Sequence, residues 1–228
     1  MNCLRACSLL MLVLLLGACA GGPGQRSTPE EAQMAESLFR DGDFAAAAQA
    51  FLDAGEKVRG DRDYFRLRAA EALRENGDSA GAQRLVDDID SGRLDDTEAL
   101  RLGLLRAELA LNRGDYRGAQ AALERITRTP PQAYRARWLE LRGRAWERED
   151  AFFAARVYAE LGRLLSGRER GENARRIREL LSGLRDAQLL EGSNGLRGDE
   201  PLRPYAVRAL TARGIAVPPQ LQRQAEPP

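Results

Sequence analysis

The chain has 228 residues, with 35 Lys and Arg against 34 Asp and Glu and no histidine. This balance gives no net field toward nucleic acid or an anionic surface, and the missing histidine removes the commonest general base, metal ligand and pH switch. The three cysteines, Cys3, Cys7 and Cys19, all lie in the first 19 residues, so neither a disulfide framework nor a zinc cluster is expected in the folded part.

Residues 1–18 read as a signal peptide. Arg5 precedes an apolar run, Leu9 to Leu16, that is far shorter than the roughly 20 residues needed to span a bilayer. The run ends in Leu16-Gly17-Ala18-Cys19, which resembles a bacterial lipobox, where the cysteine is lipidated and becomes the first residue of the mature protein. Palmitate and its companion acyl chains on Cys19 would anchor the protein durably, since each buried CH₂ contributes about 0.8 kcal/mol. Ala20 stands where an aspartate would resemble an inner-membrane retention signal, which favours the outer membrane. Residues 19–29, rich in Gly, Pro and Ser, form a tether that reaches at most roughly 30 Å. Thr28-Pro29-Glu30-Glu31 then opens a helix, with a capping hydroxyl, a proline in the first turn and acids at the positive end.

From residue 30 to residue 190 the chain repeats. Gly42-Asp43…Ala47, Gly77-Asp78…Ala82 and Gly114-Asp115…Ala119 share one pattern, and Glu149-Asp150…Ala154 is a weaker fourth copy. The spacings are 35, 37 and 35 residues. Ala35-Glu36, Ala70-Glu71 and Ala107-Glu108 recur in phase, each glutamate six residues before its glycine. Around the third copy, Leu102, Leu105 and Leu109 precede the turn, while Tyr116, Ala119, Leu123 and Ile126 follow it, with helical spacing on both sides. Gly114 suits the left-handed end of a helix and Asp115 the cap of the next, while a small Ala119 lets the two helices approach closely. A period near 34 with helix, Gly-Asp turn, small residue and second helix resembles the tetratricopeptide repeat. The expected fold is an all-α solenoid of about four hairpins plus a capping helix.

Within it, helices are expected over 61–76, 79–89, 95–113, 132–148 and 152–165, with a break at Thr129-Pro130-Pro131. Residues 167–171 read as a turn and 172–190 as one long capping helix with Ile177, Leu180, Leu181 and Leu184 inward. Residues 191–204 read as a linker, 205–213 as a short helix, and 217–228 as a Pro/Gln-rich disordered tail.

Catalysis is not expected. No nucleophile has a base beside it, no glycine-rich loop has phosphate-cradle spacing, and the plentiful carboxylates share helical faces with arginines. No cofactor, metal, nucleic acid or small-molecule substrate is implied. A binding surface is the alternative. The phase of the turns places Glu36, Arg40, Arg68, Glu71, Arg101, Glu108 and Asn112 on the concave side, followed by Glu140 and Glu147. The in-phase glutamates would make part of that groove acidic, or else would be spent in salt bridges within and between hairpins.

Three stretches carry a family resemblance: Leu67-Arg68-Ala69-Ala70-Glu71-Ala72-Leu73, Leu104-Leu105-Arg106-Ala107-Glu108-Leu109-Ala110-Leu111 and Gly118-Ala119-Gln120-Ala121-Ala122-Leu123-Glu124-Arg125-Ile126. With Asn173…Ile177…Leu180-Leu181-Ser182 and the lipobox, they make residues 51–184 similar to the N-terminal helical domain of the LpoA/LppC family of penicillin-binding-protein activator lipoproteins. The family usually has a tryptophan where Arg178 stands here, and its members continue into an α/β domain thought to contact the synthase. The resemblance implies an outer-membrane lipoprotein facing the periplasm, a protein-binding scaffold without enzymatic activity, and a class A penicillin-binding protein as partner. The other readings are a repeat lipoprotein accessory to outer-membrane protein assembly or secretion and, from another class, a cell-wall hydrolase.

Overall fold

The computed structural model describes residues 30–222; the expected signal peptide, Cys19 with the expected tether, and residues 223–228 of the expected tail lie outside the described residues. Among the described residues there are twelve α-helices and no strand. Four hairpins come first: α1 (Glu30–Arg40) with α2 (Phe44–Lys57), α3 (Arg62–Glu75) with α4 (Ser79–Asp87), α5 (Asp96–Asn112) with α6 (Tyr116–Glu124), and α7 (Gln132–Trp146) with α8 (Ala151–Leu161). They are followed by α9 (Gly167–Gly183), α10 (Asp186–Asn194), α11 (Arg203–Ala212) and α12 (Pro219–Gln222). From α1 to α9 consecutive helices pack on one another, and α5 also touches α3 and α7, the stacking expected of a solenoid.

The Gly-Asp turn explains the hairpins. Gly42, Gly77 and Gly114 have φ of 83°, 83° and 75°, in the left-handed region where only glycine is unstrained. In the first turn the Gly42 N–H reaches the Phe39 carbonyl at 3.2 Å and the Asp43 N–H the Leu38 carbonyl at 2.9 Å, a Schellman closure of α1. The same aspartate then caps α2, its carboxylate accepting from the Ala46 N–H at 3.2 Å. Asp78 and Asp115 do the same work, accepting from the Gly81 and Gly118 N–H groups at 2.7 and 2.8 Å. The fourth copy, with Glu149 in place of glycine, has no left-handed residue and keeps only the cap, from Asp150 to the Phe153 N–H at 2.8 Å. The alanine of each copy, Ala47, Ala82, Ala119 and Ala154, is fully buried where the paired helices touch. Asp95 and Glu98 complete a capping box at the start of α5.

After α8 the structure departs from the expectation in three places. Residues 167–171 are the first turns of α9 rather than a loop: Gly171 costs helix propensity, but the Arg168–Glu172 pair at 2.7 Å, one turn apart, supports the helix. The capping helix does not run through to residue 190. It stops at Gly183, because Leu184 and Arg185 are extended and Arg213 takes the helix-end carbonyls of Leu181, Ser182 and Leu184 at 2.7–2.9 Å. Residues 191–204 and 217–222 are neither linker nor disordered tail, while the short helix expected over 205–213 is present as α11. Leu196, Leu202, Leu210 and Leu221 are buried in one core with Leu139, Tyr158, Ile177 and Leu181, so α10, α11 and α12 close the end of the array.

Candidate binding groove

The in-phase glutamates organise one face of the array. Each sits on the first helix of its hairpin and meets an arginine on the first helix of the next. Arg68 grips Glu36 with two bonds, Nε to Oε1 at 2.9 Å and Nη2 to Oε2 at 2.6 Å. Arg101 grips Glu71 in the same two-pronged way, with Nε to Oε1 at 2.9 Å and the second bond from Nη2. Glu108 accepts from Arg137 and from Arg74, the latter at 3.5 Å. Further along, Arg176 of α9 holds both oxygens of Glu147 at 2.5 and 2.7 Å. These pairs form a ladder along the stack, and Arg68 also bridges to Glu71 at 2.7 Å, tying one rung to the next. Bidentate, partly desolvated pairs of this geometry are the strong class of ion pair.

Arg68 is the best embedded member. Its guanidinium lies 4.8 Å from the centres of both the Phe39 and Phe51 rings. Burial opposes its charge, but the bonds to Glu36 and the field of Glu71 outweigh that, and its proton is held more tightly than in an ordinary arginine. At the other end of the ladder, Tyr158 donates to Glu147 while Arg176 lies over its ring at 5.4 Å. Burial and then the Glu147 contact raise the Tyr158 hydroxyl well above its ordinary value. The same carboxylate raises Arg176.

A cleft of about 450 Å³ lies along α1, α3, α5 and α7, lined by Glu36, Phe39, Tyr64, Arg68, Glu71, Arg74, Glu75, Arg101, Tyr134 and Arg137. It brings together Glu36, Arg68, Glu71 and Arg101 of the expected residues, with Glu108 bound to Arg74 and Arg137 at its border. Arg40, Asn112 and Glu147 are not in the lining of this cleft. Arg40 and Asn112 are exposed in the last turns of α1 and α5, beside the hairpin turns, and Arg40 bonds back to the Glu36 carbonyl at 3.3 Å. The groove is also not acidic. Each glutamate is matched by an arginine one hairpin along, so its charges cancel on the spot. Arg74, Arg137 and Arg176 are not among the residues expected in the groove; the sequence carries a signal for the last two, because an arginine stands 29 to 32 residues after each of Glu36, Glu71, Glu108 and Glu147, and none for Arg74.

The fold and the ladder define a class: an all-helical repeat protein whose first helices line one continuous polar face. More narrowly, the chain belongs to the family described as "LppC putative lipoprotein", which matches residues 42–200, from the first Gly-Asp turn to the buried Glu200. It is a lipoprotein of that family, as the resemblance in the repeat stretches implied. No match was found among curated proteins or among solved structures.

Proposed function

We propose that this protein is anchored through a lipidated Cys19 in the outer membrane, faces the periplasm, and works there by binding a protein rather than by catalysis. Its partner in this reading is a class A penicillin-binding protein, and its role is to regulate peptidoglycan synthesis. Membership of the LppC lipoprotein family is the observation that carries the reading. The stacked first helices supply a polar face of the kind helical-repeat proteins use for extended contacts. Among the described residues no helix is long and apolar enough to cross a membrane.

The test is photo-crosslinking in membranes. A photo-reactive residue replaces exposed Glu75 or exposed Glu140 in the full-length lipidated chain, which leaves the buried rungs of the ladder intact. Capture of a class A penicillin-binding protein supports the reading. Capture of outer-membrane assembly or secretion components, with no synthase, overturns it. Cys19→Ala is expected to move the protein from the membrane to the soluble periplasmic fraction.

A further inference from the structure

The polar face changes character at α7. On the α1 side the charges are spent in the ladder. Between α7 and α9 a second cleft, about 590 Å³, has a floor of Ala136, Leu161 and Leu165 beside the Tyr158 ring. Most charged side chains around it are already in ion pairs, with Glu108, Glu147, Arg168 or each other. Three make no hydrogen bond or ion pair among the described residues: Glu140 and Arg144 on α7, and Glu169 in the first turn of α9. The two carboxylates are exposed on opposite walls, and Arg144 is half-buried one turn beyond Glu140. The cleft therefore offers an apolar floor, an excess of free carboxylate at the rim and one buried-side donor.

We propose that the α7–α9 cleft docks a segment of a partner protein that presents an apolar side chain next to a lysine or arginine. The apolar side chain covers Leu161 and Leu165, the cation meets Glu140 and Glu169, and a backbone carbonyl of the segment accepts from Arg144. Charge complementarity selects this occupant: an acidic segment would face two carboxylates, and a purely polar one would leave the floor uncovered. The proposal rests on the reading that the protein works by binding, and it names the chemistry of what is bound.

Fluorescence anisotropy on the full-length lipidated protein in detergent tests it with three labelled heptapeptides. One has leucines flanking a lysine, one leucines flanking a glutamate, and one serines flanking a lysine. The leucine–lysine peptide is expected to bind about tenfold tighter than either other, a preference removed by Glu140→Lys with Glu169→Lys and kept by Glu124→Lys on α6. Equal affinities, no binding by any peptide, or a preference that survives the double variant overturns the proposal. So does a dimer in sedimentation that the double variant dissociates, because the cleft then holds a second copy of the chain. No synthase is present in this assay, so its outcome is independent of which protein the membrane crosslinking captures.

Discussion

Glu71 and Arg101, 30 residues apart, fasten the second hairpin to the third through a two-pronged bridge, with Nε to Oε1 at 2.9 Å. The carboxylate is buried and also accepts from Arg68 at 2.7 Å, so removing it strands the Arg101 guanidinium and leaves Arg68 with Glu36 alone. Its position between an exposed pair and a fully buried one sets the cost of Glu71→Ala at about 2 kcal/mol. Glu71→Met with Arg101→Met should recover part of that loss by replacing the pair with packed apolar atoms. Urea unfolding of the two variants checks both; a double variant weaker than the single one would show that the bridge does more than cancel charge.

Gly143 is where the fourth hairpin closes. A Cβ there would lie 2.6 Å from the Tyr158 ring, which is buried and cannot swing away. Gly143→Ala should therefore destabilise by about 2 kcal/mol through overpacking. Gly171, inside α9 with open space around it, is the control: Gly171→Ala should stabilise by up to about 1 kcal/mol. Thermal unfolding of the two variants should move in opposite directions.

The Asp115 carboxylate caps α6 through the Gly118 N–H, while its backbone N–H closes α5 on the Ala110 carbonyl at 2.9 Å. Asp115→Ala deletes only the first of these, so the expected loss is about 1 kcal/mol. Asp43→Ala and Asp78→Ala remove the same bond in the same motif and should cost similar amounts, measured by thermal unfolding.

Tyr158 makes the array sensitive to alkali. Burial chiefly, and then the hydrogen bond to Glu147, lifts its hydroxyl above the ordinary value of 10.0. In the unfolded chain the proton leaves near pH 10.0, while in the folded chain it stays; the folded state then binds more protons and stability falls as pH rises. The contribution is complete below that point and is lost above it. Melting temperature between about pH 8 and about pH 11 should fall more steeply for the wild type than for Tyr158→Phe, which has no proton to lose there.

Arg213 holds the closing helices. It donates to the carbonyls of Leu181, Ser182 and Leu184 and pairs with Asp186 at 2.9 Å, so a single side chain links α11 to the α9–α10 junction. Arg213→Ala should loosen residues 195–222 while the four hairpins stay folded. Limited proteolysis is expected to show new cleavage confined to that segment, with helical circular dichroism largely kept.

What was legible in the sequence was local. Gly42, Gly77 and Gly114 reveal the turns because only glycine tolerates their φ, and the aspartate after each reveals the next cap. Glu36, Glu71 and Glu108 were legible as one face because they recur in phase. Arg68 and Arg101 are legible on that same face, and an acidic groove and salt bridges between hairpins are both open readings there; which of the two holds is not legible, nor is Arg137, since an ion pair across two hairpins depends on how the hairpins stack. The closing segment was opaque for a related reason. Leu196, Leu202 and Leu210 stand among glycines, prolines and arginines with no sustained period, and each is buried by helices distant in sequence.

The doubled role of the turn aspartates has a consequence for how the chain tolerates length changes. Asp43, Asp78 and Asp115 each finish one helix and begin the next, so the hairpin tip contains no spare residue. One inserted residue would break a Schellman closure and a cap together and rotate the second helix off its buried alanine. The connections between hairpins, residues 58–61, 88–95 and 125–131, are different. There the chain passes through short 3₁₀ turns and the Pro130-Pro131 break, with both flanking helices ended independently. Growth or shrinkage of the chain is accommodated between hairpins and refused within them.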